Sequence, residues 1–306
     1  MDRTEYESHR RSVRTDSGDL SYTEFGTGRT VLFIHGLGTN GFLWRNTVAL
    51  LGAGYRCLLP DLPGHGASPP HGGDPTLGSF ADAIESFCAV LDLSTVDLVA
   101  NDTGGAIAQI VATRHPERLN TFTITNCEAH DNIPNEAFRG TVEAAKAGKL
   151  AALAGQMLAN PAVARSPHSL GGNYQDPSYL TEDMIRTYLA PVAGTEAGSR
   201  YFERLLSSLS PTDLLSIEPD LRRLTVPTLI VWGTADIHFE LSWAYWLRDT
   251  IPGASDVVEL DGAKLHFPDE RAADFVPHLR RHWSAHPAGA PAAAPARAGE
   301  PIDLRR

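Results

Sequence analysis

The sequence has few cysteines and no long hydrophobic run. Its three cysteines, Cys57, Cys88 and Cys127, are odd in number and lack metal-site spacing, which favours a reducing compartment. No run approaches the roughly 18 apolar residues that a membrane-spanning helix needs. The N-terminal segment is charged from its start and lacks the apolar core of a secretory signal, and its polar residues 1–14 are expected to be loosely ordered. We therefore expect a cytoplasmic protein.

Positive charge is also scarce. The chain has 26 Lys and Arg against 37 Asp and Glu, which gives a formal net charge of −11. This balance disfavours nucleic acids and anionic membranes as partners and leaves a small-molecule substrate as the expected partner. The 306 residues are enough for one large α/β domain with an insertion, or for two smaller domains. The oligomeric state stays open.

Short apolar runs alternate with segments of helical spacing in both halves of the chain. This alternation predicts an α/β fold, a doubly wound and mostly parallel sheet with helices on both faces. The predicted strands are Ser12–Thr15, Leu20–Phe25, Thr30–Ile34, Arg56–Pro60, Thr95–Val99, Thr121–Thr125, Pro227–Val231 and Asp256–Leu260.

The alternation is interrupted between about residues 130 and 223, where no strand signal is found. Helical stretches are predicted there at Glu143–Leu158, Thr181–Leu189 and Ser199–Ser207. We therefore divide the chain into a first core part, a helical cap insertion, a second core part and a disordered tail rich in Ala and Pro. Their ranges are residues 1–129, 130–223, 224–285 and 286–306.

The segment Leu98–Gln109 contains an unusual turn. Its small-x-acid-x-small-small pattern predicts a strained strand-to-helix turn that raises the side chain of Asp102 out of the sheet. Small residues are expected at Ala100, Gly104 and Gly105 because the backbone approaches itself closely there. The simpler alternative is an Asn-Asp turn that merely opens a helix.

Several polar residues follow directly after predicted strands. In a parallel sheet, the carboxyl ends of the strands meet at one edge, so we expect these side chains to gather there, under the helical insertion. They are His35, Asp61, Asp102, Glu128, Asp236 and His266.

The order of these motifs resembles the α/β-hydrolase family. The matching elements are His35-Gly36, DLPGHGAS at 61–68, the turn at Asp102, WGTAD at 232–236 and LHFPDER around His266. The resemblance covers about residues 12–130 and 222–283. An Asp in the turn is closest to the branch of epoxide hydrolases and haloalkane dehalogenases, and the family order implies Asp102 as nucleophile, Asp236 as acid and His266 as base. Glu128 is a rival acid, because part of the dehalogenase branch places its acid there.

This branch implies a two-step hydrolysis. An Asp of ordinary pKa, near ~3.9, is ionised at neutral pH, so Asp102 is expected to attack carbon directly and form an alkyl ester. His266 then activates the water that hydrolyses the ester. The backbone N–H groups of Leu37 and Thr103 are expected to form the oxyanion hole. We expect neither a cofactor nor a metal ion.

Departures from the family pattern bear on the substrate. Thr103 stands where dehalogenases carry a halide-binding Trp, and Leu37 offers no polar side chain, so an epoxide is favoured over an alkyl halide. Epoxide hydrolases carry two tyrosines in the cap, and the candidates here are Tyr174, Tyr179, Tyr188 and Tyr201.

We assign substrate binding to His35, Tyr174 and Tyr188. The alternative for His35 is a structural role in its loop, and the alternative for the tyrosines is packing. Three other functions remain open on this fold: a haloalkane dehalogenase, a lyase or cyclase that uses Asp102 and His266 without an ester, and a non-catalytic small-molecule receptor.

Overall fold

An eight-stranded sheet runs through residues 1–288, the part of the chain that the computed structural model describes. Its strands are β1 Arg10–Thr15, β2 Gly18–Phe25, β3 Arg29–Ile34, β4 Tyr55–Pro60, β5 Val96–Ala100, β6 Leu119–Thr125, β7 Thr228–Gly233 and β8 Ala254–Leu260. The spatial order is β1-β2-β4-β3-β5-β6-β7-β8. The β1–β2 and β2–β4 pairs are antiparallel, and the other pairs are parallel. All eight predicted strands and the mostly parallel sheet are confirmed.

Helices connect the strands and cover both faces of the sheet. They are α1 Arg3–Ser8, α2 Arg45–Leu51, α3 Leu77–Val90, α4 Thr103–Arg114, α5 Arg139–Lys146, α6 Leu150–Ala159, α7 Pro161–Ala164, α8 Glu182–Ala193, α9 Glu196–Ser208, α10 Thr212–Leu215, α11 Glu218–Leu221, α12 Leu241–Thr250, α13 Phe267–Glu270 and α14 Ala272–Ala285. Short 3₁₀ turns lie at Gly41–Trp44, Pro116–Arg118, Glu136–Phe138, Leu170–Asn173 and Pro177–Tyr179.

The central strands are apolar on both faces because each face is covered by helices. Successive residues of a strand point to opposite faces, so Leu32 packs into one core cluster and Phe33 into another. Helices α3, α4 and α12 contribute to the first cluster. Helices α2 and α14 contribute to the second. The doubly wound arrangement follows from this two-sided burial.

The stretch between β6 and β7 is helical, as expected, and its described residues contain no strand. Part of it lies against the loops at the carboxyl ends of the core strands. A Cβ on Gly64 would lie 2.5 Å from Cδ1 of Tyr201, and the rings of Phe202 and His65 are 5.5 Å apart. The side chains of α9 therefore pack directly on the loop that follows β4.

Two local expectations are wrong. Residues 1–14 were expected to be loosely ordered, yet they contain α1, in which Tyr6 is fully buried against Phe25 and Phe42. The single helix predicted over 143–158 is divided into α5 and α6, because Gly148 between them has a φ of +65°. Most of the predicted disordered tail, residues 289–306, lies outside the described residues.

Candidate active site

The turn from β5 into α4 holds Asp102 in a strained conformation. Its φ of 57° and ψ of −144° place a non-glycine residue in the positive-φ region, which side chains with a Cβ rarely adopt. The N–H of Asp102 donates to the carbonyl of Asn126 at 2.8 Å, which fixes the turn to the end of β6. The turn has the backbone of the elbow expected from the sequence, and Asp102 remains partly exposed at its tip.

Glycines surround the elbow because there is no room for a side chain. A Cβ on Gly104 would overlap the backbone carbonyls of Ile34 and His35, and a Cβ on Gly105 would overlap the side chain of Cys127. The expectation of small residues at these two positions is confirmed. Gly36, which sequence reasoning had not marked for this reason, lies directly against the Asp102 side chain.

Two backbone N–H groups face the Asp102 carboxylate. They belong to Leu37, in the loop after β3, and to Thr103, at the first position of α4, and both lower the pKa of Asp102. The side chains of both residues are buried. Fixed N–H donors favour negative charge on the oxygen they face, and the role of Leu37 and Thr103 as an oxyanion hole stays a prediction.

Three carboxyl groups lie close together at this edge. Burial and then the charge of Glu128 raise the pKa of Asp102 well above its ordinary value, and Asp236 raises it further. Burial also raises the pKa of Glu128 to about 7 and that of Asp236 to about 7. The expectation that Asp102 has an ordinary pKa is therefore wrong, because it was made without the neighbouring carboxyl groups and the buried surroundings.

His266 lies at the start of α13 and is almost fully buried. Its N–H donates to the carbonyl of Asn173 at 3.0 Å, and its ring meets the ring of Tyr174 edge to face at 5.0 Å. Its Nδ1 is buried and has no hydrogen-bond partner within residues 1–288. Burial lowers the pKa of His266 to about 3, with His238 adding to the effect.

The two candidate acids, Asp236 and Glu128, form hydrogen bonds to residues other than His266. Asp236 accepts from Nδ2 of Asn126 at 2.7 Å and from the N–H of His238 at 2.9 Å. Glu128 accepts from Oγ1 of Thr103 at 2.7 Å through Oε1, and its Oε2 is buried without a partner among the described residues. The expected hydrogen bond from an acid to His266 is therefore not formed by either residue, and the choice between the acids stays a prediction.

Both ring nitrogens of His35 form hydrogen bonds to the backbone of nearby loops. Its Nε2 accepts from the N–H of Leu62 at 2.9 Å, so its Nδ1 carries the proton and donates to the carbonyl of Gly36 at 2.7 Å. Burial lowers the pKa of His35 to about 4, which keeps the ring neutral. With both ring nitrogens engaged and the residue fully buried, the structure favours the structural alternative for His35, and its substrate-binding role stays a prediction.

The four tyrosines of the insertion differ in their surroundings. The hydroxyls of Tyr174 and Tyr188 are buried and lack a hydrogen-bond partner among the described residues, and both lie near Arg45 and Asp269. The hydroxyl of Tyr179 accepts from Asn46 at 2.6 Å. The ring of Tyr201 packs on Gly64. Tyr174 therefore contacts the candidate base, whereas Tyr188 lies beside the Arg45–Asp269 pair.

Sequence reasoning missed two asparagines that hold the site together. Asn126, after β6, bonds Asp236 and also accepts from the N–H of Gly233 at 2.7 Å. Asn101, directly before the elbow, donates to Oγ1 of Thr125 at 2.9 Å and to the carbonyl of Leu265 at 3.0 Å. In the sequence, both asparagines are polar residues at the end of a predicted strand, which is the same signal that marked Asp102 and Glu128.

No helix within residues 1–288 combines the length and the apolar character needed to cross a membrane. Within the same residues, no group of three His, Cys, Asp or Glu side chains is arranged to hold a metal ion.

Comparison with known proteins identifies relatives over most of the chain. Residues 29–270 match a family described as alpha/beta hydrolase fold. The cis-3-alkyl-4-alkyloxetan-2-one decarboxylase of Shewanella oneidensis is 26% identical over 295 residues, which cover 89% of this chain and 87% of that protein.

Solved structures show the same fold. The epoxide hydrolase CorEH has a TM-score of 0.74 at 15% identity and covers 90% of this chain and 98% of its own. The haloalkane dehalogenase DbeA from Bradyrhizobium elkani has a TM-score of 0.72 at 22% identity and covers 90% and 99%. At these identities the likeness establishes the fold.

Proposed function

The chain belongs to the family of the alpha/beta hydrolase fold, and we propose that it is a hydrolase whose Asp102 carboxylate attacks an electrophilic carbon of a small hydrophobic epoxide. The attack forms an alkyl ester on Asp102, which water then hydrolyses. The observation that carries this proposal is the strained elbow, with the N–H groups of Leu37 and Thr103 facing the carboxylate. Backbone strain of this kind is retained at functional sites, and a turn that only opened a helix would not need it.

The proposed roles of the other residues follow the two steps. In the first step, the carboxylate of Asp102 displaces the epoxide oxygen. In the second, His266 takes a proton from water as it attacks the ester carbonyl, and Asp236 supports the charged imidazole. The N–H groups of Leu37 and Thr103 stabilise the oxyanion formed at the carbonyl.

The second step needs a local rearrangement. Asp236 and Nδ1 of His266 are not hydrogen bonded, and a histidine with a pKa of about 3 is a weak base. Substrate binding under the helices between β6 and β7, the proposed cap, would bring the acid and the base together. Tyr174 is the better placed of the two substrate-binding tyrosines, since its ring lies on His266.

Labelled water tests the ester directly. Because water adds to the carboxyl carbon of Asp102, a single turnover in heavy-oxygen water should label the peptide that contains Asp102, and the first product should take its oxygen from the enzyme. Label that passes straight into the product would contradict the proposal and make Asp102 a general base. Asp102→Ala is the control, and it should give neither label nor product.

Loss of the base provides an independent test. His266→Ala should leave ester formation largely intact and slow hydrolysis by about 10²- to 10⁴-fold, so that the adduct accumulates and is visible by intact mass. His282→Ala is the matched control, because His282 is a half-buried histidine of α14 whose ring meets the carbonyl of Pro227. Full turnover by His266→Ala would remove His266 from the mechanism.

One observation favours a lyase as a second candidate. The poor basicity of His266 suits a reaction in which no water is activated, and the relative from Shewanella oneidensis is named as an oxetan-2-one decarboxylase. With such a four-membered lactone, Asp102 would attack the sp³ ring carbon that is bonded to the ring oxygen. Cleavage of that C–O bond would leave a carboxylate on the substrate. Loss of CO₂ would then supply the electron pair of the alkene as the bond to Asp102 breaks. Turnover to alkene and CO₂ without incorporation of heavy oxygen would select this candidate.

A further inference from the structure

Thr103 contacts two of the three carboxyl groups in the site. Its backbone N–H faces the Asp102 carboxylate, and its hydroxyl donates to Oε1 of Glu128 at 2.7 Å. The residue is 2% exposed, and it follows the partly exposed Asp102 directly. The Thr103 hydroxyl therefore contacts a buried carboxyl group, one residue along the chain from the proposed nucleophile.

Glu128 is built into this position. Gln109 donates from Nε2 to the Glu128 carbonyl at 2.8 Å, which fixes its backbone after β6. The side chain is buried, and Oε2 has no hydrogen-bond partner within residues 1–288. A buried carboxylate without a cation or donors on both oxygens is costly, so the neutral acid is the favoured form.

Resting on the proposed function, we propose that Thr103 and Glu128 form a proton relay to the oxygen that leaves when Asp102 attacks. In the reacting state, Oε1 of neutral Glu128 donates to the Thr103 oxygen, and the hydrogen of the Thr103 hydroxyl turns toward the leaving oxygen. As the bond from Asp102 to carbon forms and the ring C–O bond breaks, the leaving oxygen takes the proton of the Thr103 hydroxyl, and Thr103 takes the proton of Glu128. Hydrolysis of the ester later releases Asp102 as a carboxylic acid, which returns the proton to Glu128.

The distribution of donors decides which carboxyl group starts with the proton. Asp102 faces two backbone N–H groups that stabilise its charge, whereas Oε2 of Glu128 faces none. The titratable groups that face Glu128 are Asp102 from the elbow and Asp236 from the loop after β7, with Cys127 adjacent in the chain. None of these is a cation. Burial therefore raises the pKa of both coupled groups, that of Asp102 well above its ordinary value and that of Glu128 to about 7, and the two backbone N–H groups at Asp102 favour the state in which Glu128 holds the shared proton.

The relay predicts a substrate class. Epoxides and other strained cyclic ethers or lactones release an oxygen that remains tethered to the substrate, and an epoxide oxygen departs as an alkoxide that needs a proton. A halide leaves as a stable anion and needs none. The side chain at position 103 thus supplies a proton to oxygen, and the site is suited to oxygen leaving groups.

The test compares the rate of ester formation on Asp102 for an epoxide and for an iodoalkane of the same carbon skeleton. Thr103→Val and Glu128→Gln should slow ester formation from the epoxide by about 100-fold, within the range of general acid catalysis, and that from the iodoalkane by less than about threefold. Thr103→Ser should stay within a few-fold of the unmodified enzyme. Thr113→Val is the matched control, because the Thr113 hydroxyl bonds only backbone carbonyls of α4.

The pH profile separates a relay from a structural role. Ester formation from the epoxide should fall as the pH rises through about 7, where Glu128 loses its proton, and Glu128→Gln should abolish this decline. Equal losses for both substrates, or an unchanged decline in Glu128→Gln, would overturn the relay while leaving the ester mechanism intact. Thr103→Val alone decides the matter if Glu128→Gln does not fold. Absence of any adduct in His266→Ala with either substrate would overturn the ester mechanism, and the relay with it.

Discussion

Buried and half-buried carboxyl groups occur in two settings in this molecule. In the first, each carboxylate has an arginine, and these pairs are Asp61 with Arg10, Asp97 with Arg29 and Asp269 with Arg45. In the second, at the carboxyl ends of β5, β6 and β7, Asp102, Glu128 and Asp236 form no ion pair within residues 1–288. Glu128 is buried like the three paired acids, and Asp102 and Asp236 are half-buried, so the arginine is the main difference between the two settings.

The paired acids hold elements together. Arg45 donates to Asp269 at 2.6 Å and joins α2 to α13, and Asn46 donates to the same carboxylate at 3.0 Å. Because the N–H of Asp269 donates to the carbonyl of His266 at 3.0 Å, this pair also fixes the segment that carries the candidate base. The arginine offsets much of the cost of burial.

The unpaired acids lack this compensation. Burial raises the pKa of the paired Asp269 as well, to about 6, but Arg45 acts against that rise, whereas no ion pair does so at the three unpaired acids within residues 1–288. The folded protein is therefore less stable with all three unpaired acids ionised. Uncompensated charges of this kind, in a strained turn and beside a neutral histidine, are typical of a functional site rather than of architecture. The comparison therefore predicts opposite consequences for removing a carboxyl group from the two settings.

Removal of Asp102 should have the largest effect on activity and little on stability. Asp102→Ala should lower turnover by at least about 10⁴-fold, because the nucleophile is lost, while its urea midpoint stays near that of the unmodified protein. Steady-state turnover measures the loss of activity, and urea unfolding of the same preparation measures the stability. A large loss of stability would place Asp102 with the structural acids, and substantial activity would contradict its role as nucleophile.

Removal of a paired acid should show the reverse. Asp269→Asn should lower the free energy of unfolding by about 3–5 kcal/mol, because Arg45 is left buried without its partner. Replacing both partners by apolar residues of similar size should recover most of that loss. Urea unfolding measures the effect, and Asp183→Asn is the control, because its ion pair with Arg3 is exposed and contributes little. Equal effects at the two positions would refute the distinction.

The pH dependence of stability sharpens the comparison. The folded-state pKa of Glu128, about 7, lies above its ordinary value of 4.5, so the folded state holds a proton that the unfolded chain has lost. Its contribution to stability therefore falls as the pH rises from 4.5 to 7. Glu128→Gln should be more stable than the unmodified protein by about 3 kcal/mol at pH 7.5, and the difference should vanish near pH 4.

Glu7 provides the control of opposite sign. Its hydrogen bond to Arg10 lowers the pKa of Glu7, so its contribution is present above pH 4.5 and is lost as the pH falls. Glu7→Gln should therefore be less stable at neutral pH. Urea unfolding between pH 4 and 8 measures both differences, and a constant gap for Glu128→Gln would contradict its raised pKa.

The sequence was informative where a feature depends on nearby residues. Short apolar runs predict the strands because burial on both faces requires them, and the glycines at 104 and 105 predict a turn where the backbone is crowded. Asp102, Glu128, Asp236 and His266 follow strands whose carboxyl ends align, so their gathering at one edge was predictable.

The expectations that were wrong or left open concern features that depend on residues far apart in the sequence. The raised pKa of Asp102 arises from burial and from Glu128, and the ring of His35 is held by Leu62, 27 positions away. Arg45 meets Asp269 across 224 positions, and α1 is ordered because Tyr6 packs on Phe25 and Phe42. No local pattern encodes which buried acid receives an arginine.

The smallest expected effect concerns Asn126, which holds one of the unpaired acids with an amide instead of a cation. Its Nδ2 donates to Asp236 and lowers the pKa of that carboxyl, against the larger effect of burial. Asn126→Ala should slow decay of the Asp102 ester by about tenfold, the worth of one hydrogen bond, and leave ester formation unchanged. Decay of the isolated adduct at pH 6–8 measures this, with Asn160→Ala, which removes the exposed N-cap of α7, as the control. If decay is unchanged while the urea midpoint falls, Asn126 only supports the fold. If ester formation slows instead, loss of the Asn126 side chain displaces the backbone carbonyl that accepts from the N–H of Asp102, and the acid that assists His266 must be sought in Glu128.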